Sequence, residues 1–179
     1  MKKLLLSLSV ALLAVSVCSG QTTEKKKEPI MHAPAHILLA PDQVKWTDPP
    51  AAAISGTPSV EAGGELHFAA IQGDPSKPGV PFTIELRCTD GYKVAPHWHP
   101  TSENIAVLKG TFAVGLGDKF DPSKASDLPT GGYGYMPARQ HHFGVCKGET
   151  DVLVYGIGPF KINFIGATPA AAKKPVGGK

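Results

Sequence analysis

Two histidines flank a tryptophan in "PHWHPTSENI", Pro96 to Ile105, and Glu103 follows a proline-led bend at Pro100. On an extended strand, residues two apart project from the same face, so the imidazoles of His97 and His99 can reach one point while Trp98 faces the other way. Pro100 fixes φ, and Thr101 and Ser102 suit a turn that brings Glu103 back towards the histidines. Two imidazoles and a carboxylate suit a divalent transition metal such as Mn, Fe, Co, Ni, Cu or Zn better than Mg or Ca. His-x-His pairs also sit on exposed strands where their rings meet only solvent. These three residues alone therefore leave both readings open.

The elements that would carry them read as short strands. In "FTIELRC", Phe82, Ile84, Leu86 and Cys88 share one face while Thr83, Glu85 and Arg87 share the other, the period of two of a half-buried strand. Similar runs recur at Leu66 to Ile71, Ile105 to Leu108, Thr111 to Leu116, Val152 to Ile157 and Ile162 to Ile165. Turn residues separate them in "QGDPSKPG", "TDGY", "LKGT" and "DLPTGG". No central stretch keeps a helical period for three turns without Gly or Pro. The fold class expected is all-β, a sandwich or barrel.

The ends bound the setting. Lys2 and Lys3 precede an apolar run from Leu4 to Val17, and Ser19 and Gly20 follow, so residues 1–20 read as a secretory signal peptide too short for a membrane span. A lipid anchor through Cys18 ranks second, because Val17 stands where a small residue is expected. Residues 21–40 read as a flexible linker, holding His32 and His36, for which no ligand role is expected. The Ala/Pro/Lys tail, 168–179, has no apolar face and reads as disordered. The chain of 179 residues has 18 Lys+Arg against 15 Asp+Glu, and the leader removes two lysines. The remainder is near neutral, with no basic field for nucleic acid. Cys88 and Cys146 remain, and in an exported protein a pair suggests a disulfide.

Spacing then adds a resemblance. "GYKVAPHWHPTSENIAVLKG" sets out Gly91, His97, His99, Glu103 and Gly110 in the pattern of the first motif of the cupin superfamily. "GGYGYMPARQHHFGVC" places Gly131, Pro137 and His142 as in the second. The segments "VLKGTFAVGLGDKFD" and "YGIGPF" resemble small single-domain cupins. The resemblance implies an antiparallel double-stranded β-helix, or jelly-roll barrel, over residues 41–167. It also implies a metal held by His97, His99, Glu103 and His142. Adjacent strand residues face opposite sides, and the family spacing favours His142 over His141. Two departures leave the donors intact: Arg139 stands where a glycine is usual, and Cys146 replaces an asparagine. In such a barrel the strands carrying Cys88 and Cys146 approach each other, which brings a disulfide within reach.

Four protein ligands on an octahedral ion leave two positions for water, O₂ or a bidentate small molecule. The leader implies an exported, periplasmic or secreted protein, and the family resemblance implies oxygenase or decarboxylase chemistry. The alternative is a non-catalytic metal-binding or small-ligand-sensing module. A homodimer is expected on the same ground, since an open sheet invites a partner. His67 reads as part of a polar strand face, and Phe82, Phe112, Tyr133, Tyr135 and Phe143 as core or pocket lining.

Overall fold

A computed structural model of the protein describes residues 36–166. The leader 1–20, most of the linker, His32, Cys18 and the tail 168–179 lie outside the described residues. Nine strands occur among the described residues: β1 Ile54–Ser55, β2 Leu66–Gln72, β3 Pro81–Cys88, β4 Lys93–Trp98, β5 Glu103–Leu116, β6 Ser126–Pro129, β7 Tyr133–Met136, β8 His142–Ile157 and β9 Ile162–Phe164. All pairings are antiparallel except the two-residue parallel match of β1 with β9. The sheet curls into the jelly-roll barrel.

Two long strands organise it. Along its length β8 pairs with β5 on one side. On its other side, Thr150–Ile157 pairs with β3, and the His142–Val145 end pairs with β4. The turn "TDGY" joins β3 to β4 across this change of partner. The Asp90 carboxylate accepts from the Gly148 N–H at 2.7 Å, and the Gly91 N–H donates to the Cys146 carbonyl at 2.9 Å. Cys88 and Cys146 are joined there as a disulfide, with Cα atoms 6.4 Å apart.

The expectation of a turn at "LKGT" is corrected. β5 runs unbroken for 14 residues, and the pairing with β8 shifts register between Val107 and Thr111. Gly110 adopts φ of 71°, and a Cβ there would lie 2.4 Å from the Glu149 carbonyl oxygen. A glycine inside two apolar runs can thus mark a bulge that bends one strand rather than a turn between two. β8 likewise extends ten residues before the expected Val152 start, because Gly144 and Gly148 interrupt the apolar alternation without breaking the ladder. "DLPTGG" is strand as far as Pro129 and turns only at Thr130–Gly132.

The inward faces of β3, β5 and β8 supply Phe82, Ile84, Ile105, Val107, Val114, Val152 and Val154 to one buried cluster, joined by Phe160. Burying each such side chain contributes roughly 1.5–3 kcal/mol. His67 stays on the outer face beside Glu65, and His36 is exposed. No helix among the described residues is long and apolar enough to cross a membrane.

Candidate metal centre

β4 and β8 lie side by side so that His97 pairs directly with His142. Their ring centroids are 4.2 Å apart. His99 follows one residue past the end of β4, and its ring comes within 4.8 Å of His97 and 5.3 Å of His142. Glu103 opens β5 and completes the group, its Oε2 3.1 Å from His142 Nε2 and 3.6 Å from His99 Nε2. All four side chains are buried. One ligating atom from each of the three histidines lies within 4.8 Å of the others, close enough to hold a metal ion.

Each ring is turned by its other nitrogen. His97 Nδ1 donates to the Ala95 carbonyl at 2.7 Å, His99 Nδ1 to Lys161 at 2.8 Å and His142 Nδ1 to Gln140 at 2.9 Å. A carbonyl can only accept, so Nδ1 carries the proton in every case and a neutral ring presents the Nε2 lone pair to the centre. His99 Nε2 and Glu103 Oε2 are buried without a hydrogen-bond partner. His142 Nε2 comes within 3.1 Å of the same Glu103 oxygen. Lone pairs facing a carboxylate in a dry site are favourable only with a proton or a cation between them.

Charge states fit a cation. Burial pushes the His97 pKa well below the ordinary histidine value of 6.5, and the adjacent His142 and His99 push it further. Burial also lowers His99, against the opposing pull of Glu103. For Glu103, burial acts upward, but contact with His142 and the nearby His99 outweigh it, and the carboxyl lies below its ordinary value. Neutral imidazoles and one carboxylate are the donor set of a transition-metal site, and these residues fit such an ion.

The donors line a cavity of about 140 Å³. Its walls are apolar, with Ile105, Phe112, Val152, Val154, Phe160 and Phe164 prominent. Phe160 stacks on His99 with centroids 4.1 Å apart and planes 17° from parallel.

Residues 57–161, well over half of the chain, match the family model described as the ChrR cupin-like domain. The chain belongs to this cupin family. Solved cupin structures share the fold. A candidate acetylacetone dioxygenase from Methylibium petroleiphilum is 21% identical with a TM-score of 0.54, over 76% of this chain and 87% of that one. The polyketide cyclase RemF from Streptomyces resistomycificus is 19% identical with a TM-score of 0.51, over 73% and 87%. None of the curated proteins matches the chain.

The structure thus brings His97, His99, Glu103 and His142 of this cupin to one place and leaves other marked residues outside it. Trp98 is half-buried and absent from the cavity wall. His141 points away, with Nδ1 2.6 Å from Asp118 Oδ1. Arg139 is exposed and takes φ of 65°, the left-handed conformation its usual glycine would supply. Its N–H donates to the His99 carbonyl at 2.8 Å. Sequence reading missed the carbonyl anchors at Ala95, Gln140 and Lys161, which have no residue signature because any residue supplies a carbonyl. It also missed Phe160. The "YGIGPF" stretch held the only available signal, a lone aromatic after Gly and Pro.

Proposed function

We propose that this cupin is an exported metal-dependent oxygenase acting on a small, largely apolar molecule with chelating oxygens, such as a short 1,3-dicarbonyl or 2-oxo compound. The observation that carries the reading is the set of inward-facing Nε2 atoms and the Glu103 carboxylate in the lining of a largely apolar chamber. An apolar cavity of roughly 150 Å³ takes a guest the size of benzene. A chamber of about 140 Å³ therefore suits a substrate of that scale and leaves little room for an organic co-substrate beside it. That limit favours dioxygenation, in which both atoms of O₂ enter the products and the substrate supplies the electrons, over reactions needing a separate organic reductant. The candidate acetylacetone dioxygenase of similar fold supports the same substrate class.

His97, His99, Glu103 and His142 would hold Fe, Mn or another divalent transition metal. Such an ion would supply Lewis-acid polarisation and, if redox-active, a place for O₂. The chain's own groups orient and exclude. The three backbone carbonyls fix the rings, the walls beside them are largely apolar, and Tyr92 and Lys93 are the other titratable side chains that line the chamber. Export suits the leader-like first twenty residues and a Cys88–Cys146 disulfide, which persists in oxidising compartments. A homodimer belongs to the same reading, supported by the exposed Tyr133, Tyr135 and Tyr155 on the outer sheet.

Elemental analysis of protein purified without added metal, paired with oxygen-uptake assays on short 1,3-dicarbonyls and 2-oxo acids, tests this function. Iron or manganese near one per chain, with substrate-dependent uptake that His97→Ala abolishes along with the metal, is expected. Zinc without uptake would instead make the protein a binding or sensing module.

A further inference from the structure

Phe160 occupies a position that the metal site alone does not explain. Three spaces meet around it. The metal chamber lies on one side, and a small apolar pocket of about 70 Å³, lined by Pro49, Ala53, Ile84 and Leu86 among others, adjoins it. Beyond is an open cleft of about 810 Å³ between the Pro50–Ala53 stretch, Phe68 and the Gly73–Ser76 loop. Among the described residues, Phe160 alone lines all three.

The ring is held rather than free to swing. It stacks on His99 and meets Phe82 with centroids 5.0 Å apart. Its backbone N–H donates to the Pro75 carbonyl at 2.6 Å, and the Gly158 N–H donates to Val80 at 2.9 Å. A Cβ at Gly158 would stand 2.3 Å from the Lys77 carbonyl oxygen, so only glycine allows this close approach of the two loops. The neighbouring Lys161 carbonyl holds His99 through backbone atoms alone, so the Phe160 side chain can change while that anchor stays.

We propose that the Phe160 ring is a fixed partition between the metal chamber and the outer cleft, and that it sets the longest ligand the chamber admits. With the ring in place, a guest in the chamber cannot extend past it into the cleft. With the ring removed, an apolar tail passes the position of the ring and lies in the cleft against Phe68 and Ala70. Phe160 is thus a specificity-determining residue, and the inference rests on the small-ligand reading of the chamber given above.

The test compares the full chain as purified with Phe160→Ala and the milder Phe160→Leu, which guards against a variant that fails to fold. The first arm measures thermal stabilisation by benzene, toluene and n-butylbenzene, probes that need neither turnover nor metal chemistry. The natural chain is expected to bind the first two and reject n-butylbenzene. Phe160→Ala should bind n-butylbenzene at least about tenfold more tightly than the natural chain, with Phe160→Leu between them and metal content unchanged in both. The same size limit in all three proteins overturns the partition, as does failure of every probe to bind any of them. The second arm titrates cobalt-loaded protein with pentane-2,4-dione and longer 1,3-diketones, read by the visible spectrum of the ion. A shifted limit in the first arm with no diketone response in the second leaves the partition standing and removes the chelating-substrate reading.

Discussion

Glu103 and Asp151 are equally buried carboxylates, each 6% exposed, yet they live in opposite circumstances. Asp151 on β8 receives both ends of one guanidinium, Arg87 Nε at 2.8 Å and Nη2 at 2.9 Å. Arg87 in turn lies over the Trp46 ring at 4.3 Å. Glu103 faces imidazole nitrogens whose rings have already spent their protons on backbone carbonyls. The outer pair is complete within the protein, and the inner group is complete only with something added. A buried polar cluster that satisfies itself holds a fold together, whereas one that does not marks where a ligand belongs.

Acidification should separate the two regions most strongly. His97 and His99 titrate below their ordinary 6.5 in the folded protein, so between that value and their folded pKa the unfolded chain binds more protons. Stability of metal-free protein is therefore unaffected above about pH 6.5 and falls below it, by up to about 1.4 kcal/mol per pH unit for each histidine. Glu103 adds to the loss as pH drops further, because its folded pKa also lies below its ordinary 4.5. Urea unfolding of chelator-treated protein across this range measures the slope. A flat profile from about pH 6.5 to 5 would show that the inner histidines are not held neutral.

The same substitution in both places should separate stability from metal binding. Asp151→Asn removes the charge from a bidentate pair and is expected to cost about 1.5–3 kcal/mol without altering metal affinity. Glu103→Gln removes a carboxyl that folding holds below its ordinary 4.5, so metal-free protein should also lose stability at neutral pH. Metal affinity, read by competition with a chelator, should fall in this variant alone. Unchanged metal affinity in Glu103→Gln would erase the contrast.

Most of the inner region was legible in the sequence, and the outer region was not. Alternation and a proline turn made His97, His99 and Glu103 candidates, and the resemblance to the two cupin motifs turned them into a ligand set and added His142. Strand periodicity gave an all-β sandwich or barrel and the cupin resemblance chose the barrel, although Gly110 and Gly148 concealed how long β5 and β8 are. Arg87–Asp151 was invisible, because the two residues are 64 apart in sequence and only the β3–β8 register aligns them. The partition at Phe160 was equally hidden, since nothing local fixes what a loop aromatic will cover.

Arg139 offers the smallest effect and the finest test of the turn that supports both regions' shared strand. A non-glycine residue in the left-handed region costs about 1–2 kcal/mol, and glycine returns roughly half of that in chain entropy. Arg139→Gly should therefore stabilise the protein by about 0.5–1 kcal/mol with metal content unchanged. Loss of ligand binding in that variant would instead give the guanidinium a task at the chamber mouth.

The Cys88–Cys146 disulfide closes a covalent ring whose ends are 58 residues apart, and all four candidate donors lie inside it. On chain-entropy grounds such a closure is worth about 4 kcal/mol. Phe160 and Lys161 lie outside the ring. The donors and their cover therefore belong to separately tethered parts of the chain, and any opening of the C-terminal segment would leave the four donors in one covalent loop. Exchange of the ion with solvent would then follow local opening of that segment, not unfolding of the domain.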